Sequence, residues 1–140
     1  MATDKEIIDS LKTDWLPTDY YNFEDLNLVE QATSIVGNTL ENFRGVVIPL
    51  TTVQNRTISS IEFADSLNRI EENILTLIDT FPNKTIFDST VIVWAFNMPF
   101  DYNDANRFAR NLKTMFTYIQ SNITNRPYTG QFIVGQEGVY

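Results

Sequence analysis

One short kernel occurs three times in this chain at intervals of about forty residues, so whatever fold the chain adopts has to place three equivalent units. Trp15-Leu-Pro-Thr-Asp-Tyr-Tyr-Asn-Phe-Glu-Asp25-Leu-Asn27 aligns without a gap on Trp94-Ala-Phe-Asn-Met-Pro-Phe-Asp-Tyr-Asn-Asp104-Ala-Asn106, with Trp, Asp and Asn coinciding. Phe63-Ala-Asp65-Ser-Leu-Asn68 is a further copy between them, which reduces the kernel to an aromatic residue, any residue, Asp, one or two residues, and Asn. Behind each copy, apolar side chains recur at helical spacing: Leu26, Val29, Val36 and Leu40; Leu67, Ile70, Ile74 and Leu77; Ala105, Phe108, Leu112, Met115 and Ile119. Three amphipathic helices are expected.

Their starts carry capping chemistry. Asn22 stands three residues before Asp25, Ser59 before Glu62 and Asp101 before Asp104, each placed to satisfy free first-turn amides, and the acids suit the positive end of a helix. Thr3-Asp-Lys-Glu6 is a capping box, and Ile7, Ile8, Leu11 and Trp15 share a face, so residues 1–14 are expected to form a short N-terminal helix or arm. Three β-branched or aromatic runs bounded by Gly, Pro and polar residues read as strands: Gly45-Val-Val-Ile-Pro-Leu50, Thr90-Val-Ile-Val-Trp-Ala-Phe96 and Gly130-Gln-Phe-Ile-Val-Gly135. Pro49 places the first on a sheet edge. The expectation is an α+β fold, three repeat helices packed on a small β-sheet, in a single domain over residues 1–140 with 54–60 as a loop and 136–140 as a loose tail.

Composition removes whole classes of chemistry. With no His and no Cys, imidazole acid–base pairs, thiol nucleophiles, disulfides and Cys/His metal or haem ligation are excluded, leaving carboxylate, hydroxyl and Lys/Arg chemistry. A formal charge of −8 disfavours nucleic acid and anionic lipid as partners. No run approaches the roughly 18–20 apolar residues of a membrane span, and Met1-Ala-Thr-Asp-Lys-Glu is too polar for a signal peptide. A soluble chain made in a cytoplasm is the expectation.

Candidate sites are weak by comparison. Asp101-Tyr-Asn103-Asp104 begins like a calcium loop but continues with Ala105, Asn106 and Leu112 where such a loop needs an oxygen ligand, Gly and Glu. Gly130 and Gly135 have phosphate-loop spacing, yet Gln136-Glu137 follows instead of Lys-Ser/Thr. Asp19, Asp25, Asp101 and Asp104 could in principle pair as catalytic or magnesium-binding carboxylates, but each falls at a helix start where capping accounts for it. No catalytic residue, metal or cofactor is assigned. Arg107, Arg110 and Lys113 recur every three residues and read as a solvated basic stripe open to an interface. Asn27, Asn68 and Asn106 lie about 100° from the first stripe residue, at the margin of the buried face, where an amide can bond both the carbonyl and the N–H of a neighbouring segment. Trp15 and Trp94 read as core anchors, and Trp15, Asp25, Asn27, Asp65, Asn68, Trp94, Asp104 and Asn106 together as packing residues of the repeat. Asn55-Arg-Thr57, Asn83-Lys-Thr85 and Asn122-Ile-Thr124 match the glycosylation pattern at the level chance provides in an Asn- and Thr-rich chain.

The middle copy with its continuation, Asp65-Ser-Leu-Asn68-Arg69-Ile70-Glu71-Glu72-Asn73-Ile74, resembles a signature of small tail and baseplate proteins of siphophages that infect Gram-positive bacteria: Asp, Leu or Tyr, Asn-Arg-Ile-Glu, then Asn-Ile. Trp15 through Tyr21-Asn22 to Asp25, Asn27 and Glu30 resembles its longer form, and the third copy departs from it at Ala109. Length, acidity and absence of Cys are also similar to a small virion protein of a Bacillus siphophage. The resemblance implies a non-enzymatic structural protein of the virion tail, a tail-tip or baseplate component or adaptor for host adsorption, with other tail and baseplate proteins as partners and homo-oligomers open. Eighteen aromatic side chains could anchor such contacts, and the run Tyr128-Thr-Gly-Gln-Phe132-Ile-Val134 could add an edge strand to a partner's sheet. Two other readings stay open: an acidic intracellular phage effector, since the first thirty residues hold eight acids against Lys5 and Lys12, and a carbohydrate-recognition module using Trp and Tyr rings.

Overall fold

The apolar periodicity behind each kernel is long enough to bury one face of a helix, and all three series do so. In the computed structural model, which describes residues 3–19, 23–45, 47–54, 64–88, 92–95, 98 and 100–124, α1 spans Asp4–Asp9, α2 Phe23–Arg44, α3 Ala64–Asp79 and α4 Tyr102–Thr124, with a 3₁₀ turn at Lys84–Ile86. Thr3 and Glu6 form the expected capping box of α1, but this helix stops at Asp9, and Leu11 and Trp15 lie beyond it, the Leu11 N–H still donating to the Ile8 carbonyl. At α4 the cap is reciprocal: Asp101 Oδ1 accepts from the N–H groups of Asn103 and Asp104, while Asp104 Oδ2 accepts from the N–H of Asp101. Asn22, Ser59 and Glu62 lie outside the described residues.

Helices α2, α3 and α4 each contact the other two, and α1 packs against α2 and α4. Aligning the helices on Asn27, Asn68 and Asn106 brings matching positions into register. Val29, Ile70 and Phe108 are equivalent and buried, as are Thr33, Ile74 and Leu112, then Val36, Leu77 and Met115, then Leu40, Phe81 and Ile119. All but Thr33 belong to one contiguous apolar cluster, and the Thr33 hydroxyl donates to the Val29 carbonyl one turn back. The same register shows that Ser66, not Asp65, is the counterpart of Asp25 and Asp104: Ser66 is fully buried, whereas Asp65 is exposed.

The expected sheet is absent, and the fold is all-helical: no strand occurs among the described residues, so α+β is corrected to a three-helix bundle with an N-terminal helical turn. Residues 47–50 and 92–95 belong to no helix and join no ladder, and Gly130–Gly135 lies outside the described residues. Period-two alternation is real around Trp94, which is buried while Val93 is 79% exposed. Its inner face, however, rests on helices. Leu50 likewise packs into a notch at Gly37 of α2, where a Cβ would sit 2.5 Å from Leu50 Cδ1. Residues 55–60 and the tail 136–140 lie outside the described residues.

Candidate functional site

The extended segments replace a neighbouring strand with asparagine side chains. Asn106 Oδ1 accepts from the Trp15 N–H at 2.7 Å while its Nδ2 donates to the Trp15 carbonyl at 3.0 Å. Asn68 does the same to Trp94, at 2.7 Å and 3.1 Å. A primary amide offers the donor and acceptor of a peptide group, so one residue of extended chain is satisfied as it would be in a ladder. Two further clamps escaped the sequence reading: Asn73 holds both backbone groups of Thr51, and Asn111 those of Asp88. The signal was there, since each lies five residues after a kernel Asn, in α3 and in α4, while α2 has Ala32 in that place. Asn27 is half-buried on α2 and is also engaged.

A second set of contacts ties helix to helix. The residue after the kernel Asn in one helix pairs with the residue three beyond it in the preceding helix. Arg69 of α3 donates to Glu30 of α2, with Nη2 at 2.8 Å from Oε2. Arg107 of α4 donates through Nη1 and Nη2 to the two carboxylate oxygens of Glu71 of α3, at 2.7 Å and 2.6 Å. Each acid also receives the extended segment: Glu30 accepts from the Val53 N–H, and Glu71 from the Trp94 indole N–H at 3.1 Å. Arg107 further reaches Asp104 at 3.4 Å. Burial alone would lower the Arg107 pKa, but Glu71 and Asp104 outweigh it and hold the guanidinium above its ordinary value. Burial pushes the Asp104 carboxyl up, against the lowering pull of the Asp101 N–H and Arg107.

Arg107 is therefore misplaced in the basic stripe. It is buried inside the bundle, while Arg110 is exposed 3.8 Å from Asp88 and Lys113 reaches the Asp9 carbonyl, so the three cations form no continuous face. The period of three failed because α4 is wrapped by chain on more than one side. Tyr128 and Phe132 lie outside the described residues. Trp94 is a core anchor, its ring 5.7 Å from that of Phe100 at a tilt of 47°, whereas Trp15 is only half-buried and carries the Lys12 ammonium 4.9 Å from its ring centroid. Asp19 accepts from the Leu16 N–H and pairs with Lys12, and these contacts lower its pKa, the backbone bond most. Of the carboxylates considered as a catalytic or metal pair, Asp19, Asp101 and Asp104 are thus engaged in caps and pairs, and Asp25 lines a small cavity; among the described residues no group of three or more acids is placed to hold a metal.

The third helix junction differs from the other two. Leu28 of α2 and Ala109 of α4 occupy the positions held elsewhere by Arg and Glu, and both line a partly open cavity of about 120 Å³ together with Trp15, Val29, Ala105 and Lys12. This concavity is small for an enzyme substrate site, which typically spans some 300–1,000 Å³. Comparison with protein-family models, curated proteins and solved structures gives no match to this chain.

Proposed function

We infer that the protein is a non-enzymatic structural component of a siphophage tail, acting at the tail tip or baseplate as an assembly or adaptor module for host adsorption. One observation carries the reading: in the middle copy of the tail-protein signature, Asn68, Arg69, Ile70, Glu71, Asn73 and Ile74 are committed to building the scaffold, while Asp65 and Glu72 face outward. Asn68 and Asn73 clamp extended chain, Arg69 and Glu71 join α3 to its two neighbours, and Ile70 and Ile74 are core. A motif used in this way marks a framework and leaves the outer surface to define the partner, as an assembly module requires. The concentration of acids near the N-terminus is weaker support for an effector than its count suggests, because Glu30 is buried against Arg69 and Asp9 and Asp19 are paired with Lys5 and Lys12.

Mass spectrometry of gradient-purified particles of the phage that encodes this chain, with copy number scaled to the major tail protein, tests the assignment. A few to a few tens of copies per particle is the expected result. Clean absence from particles, with abundant protein in infected cells, overturns it in favour of an intracellular role.

A further inference from the structure

The internal repeat supplies its own standard for what should fill each helix junction. At α3–α2 the space is taken by Arg69 and Glu30, and at α4–α3 by Arg107 and Glu71 with the Trp94 indole donated to the acid. At α2–α4 the equivalent residues are Leu28 and Ala109, and the backbone of Trp15 is clamped by Asn106 just as that of Trp94 is by Asn68. The frame is thus preserved while the long charged side chains that would occupy it are replaced by shorter apolar ones. An opening of about 120 Å³ lies there, with Leu11, Leu28, Val29, Ala105 and Ala109 as apolar lining and Trp15 beside them. Ser10, Lys12 and Asp25 are its polar residues. Loss of packing in an unfilled space destabilises a fold, and an apolar cavity of roughly 150 Å³ is known to stay dry and accept benzene.

We propose that this α2–α4 cavity is a binding pocket for one small aromatic ring, with Trp15 and Ala109 as its defining walls. The apolar lining favours a ring over a charged group, and the indole supplies a partner for offset or edge-on packing. Ser10, Lys12 and Asp25, which also line the cavity, supply polar groups suited to a ring bearing a single hydroxyl. The pocket does not depend on the tail assignment and would exist whatever the protein docks to.

Phenol is the probe. Titrated into the full-length ¹⁵N-labelled protein, it is expected to shift the Trp15 indole N–H and the backbone N–H of Ala105 and Ala109 together and saturably, while the Trp94 indole N–H, held by Glu71 at the filled junction, stays in place. Ala109→Leu, which fills the cavity without adding charge, is expected to weaken the binding at least about tenfold while leaving the rest of the spectrum folded. Ala105→Val is a second filling variant should Ala109→Leu fail to fold. Shifts that do not saturate, that appear equally at Trp94, or that persist unchanged in a folded filling variant overturn the proposal.

Discussion

Glu71 is the residue on which most contacts converge. It accepts from both terminal nitrogens of Arg107 and from the Trp94 indole, in a site where the two charged side chains are 4% and 6% exposed. Removing one partner of such a pair leaves the other charge buried and unmatched, which typically costs about 3–5 kcal/mol, whereas replacing both by apolar residues of similar volume is much milder. Glu71→Leu should therefore lower stability by about that amount in urea unfolding, and Glu71→Leu with Arg107→Met should recover much of the loss. A double variant as unstable as the single one would show that the pair is not the unit. Asp104 provides a pH signature. Its carboxyl, faced by Asp101, Arg107 and, through Arg107, Glu71, is raised by burial, so the folded protein holds this proton more tightly than the unfolded chain. Its contribution is then fully present below the ordinary carboxylate range and is lost as pH rises toward the raised value. In Asp104→Asn this loss is absent, so the stability of the variant minus that of the parent should climb across the acidic window and flatten at neutral pH. A flat difference from acid to neutral would contradict the raised value.

At the scale of elements, the extended segments matter as much as the helices. They read as strands because β-branched alternation marks a chain with one face in and one face out, and residues 92–95 do alternate in this way around Trp94. Which partner satisfies the backbone is a separate question that alternation does not answer. Here the kernel Asn does so, and its position at the margin of the apolar face was legible from helical spacing alone, whereas the choice of Trp94 and Trp15 as the residues clamped was not, since Asn106 and Trp15 are far apart in sequence. Asn68→Asp tests the clamp. The new carboxylate can still accept from the Trp94 N–H, but the Trp94 carbonyl loses its donor and faces a like-signed oxygen, a loss of about 1–3 kcal/mol. Amide exchange should accelerate most at Trp94 and its neighbours, with α3 itself less affected; exchange that rises uniformly through α3 would mean that the amide supports the helix rather than the segment.

Across the whole molecule, three equivalent helices close a bundle by a repeated rule that is broken once. Leu28 and Ala109 stand where Arg and Glu stand at the other two junctions. Ala109→Glu alone should bury an unmatched carboxylate and destabilise, and Leu28→Arg alone should do so as well, but Leu28→Arg with Ala109→Glu should be more stable than the sum of the single effects. A favourable coupling of about 0.5–3 kcal/mol in a double-mutant cycle is the expected outcome, and additivity within error would show that the three junctions are not equivalent. Sequence alone determined the three helices, their buried faces and the caps at Thr3 and Asp101, because these depend on spacing within a single segment. It also placed the asparagines at the margin of the core. Tertiary structure decided the rest: that extended runs dock on helices instead of on each other, that Arg107 turns inward to Glu71, that Ser66 and not Asp65 completes the register, and that the third junction is open. Each of these depends on which distant segment satisfies a polar group or fills a gap, and local periodicity contains no record of that partner.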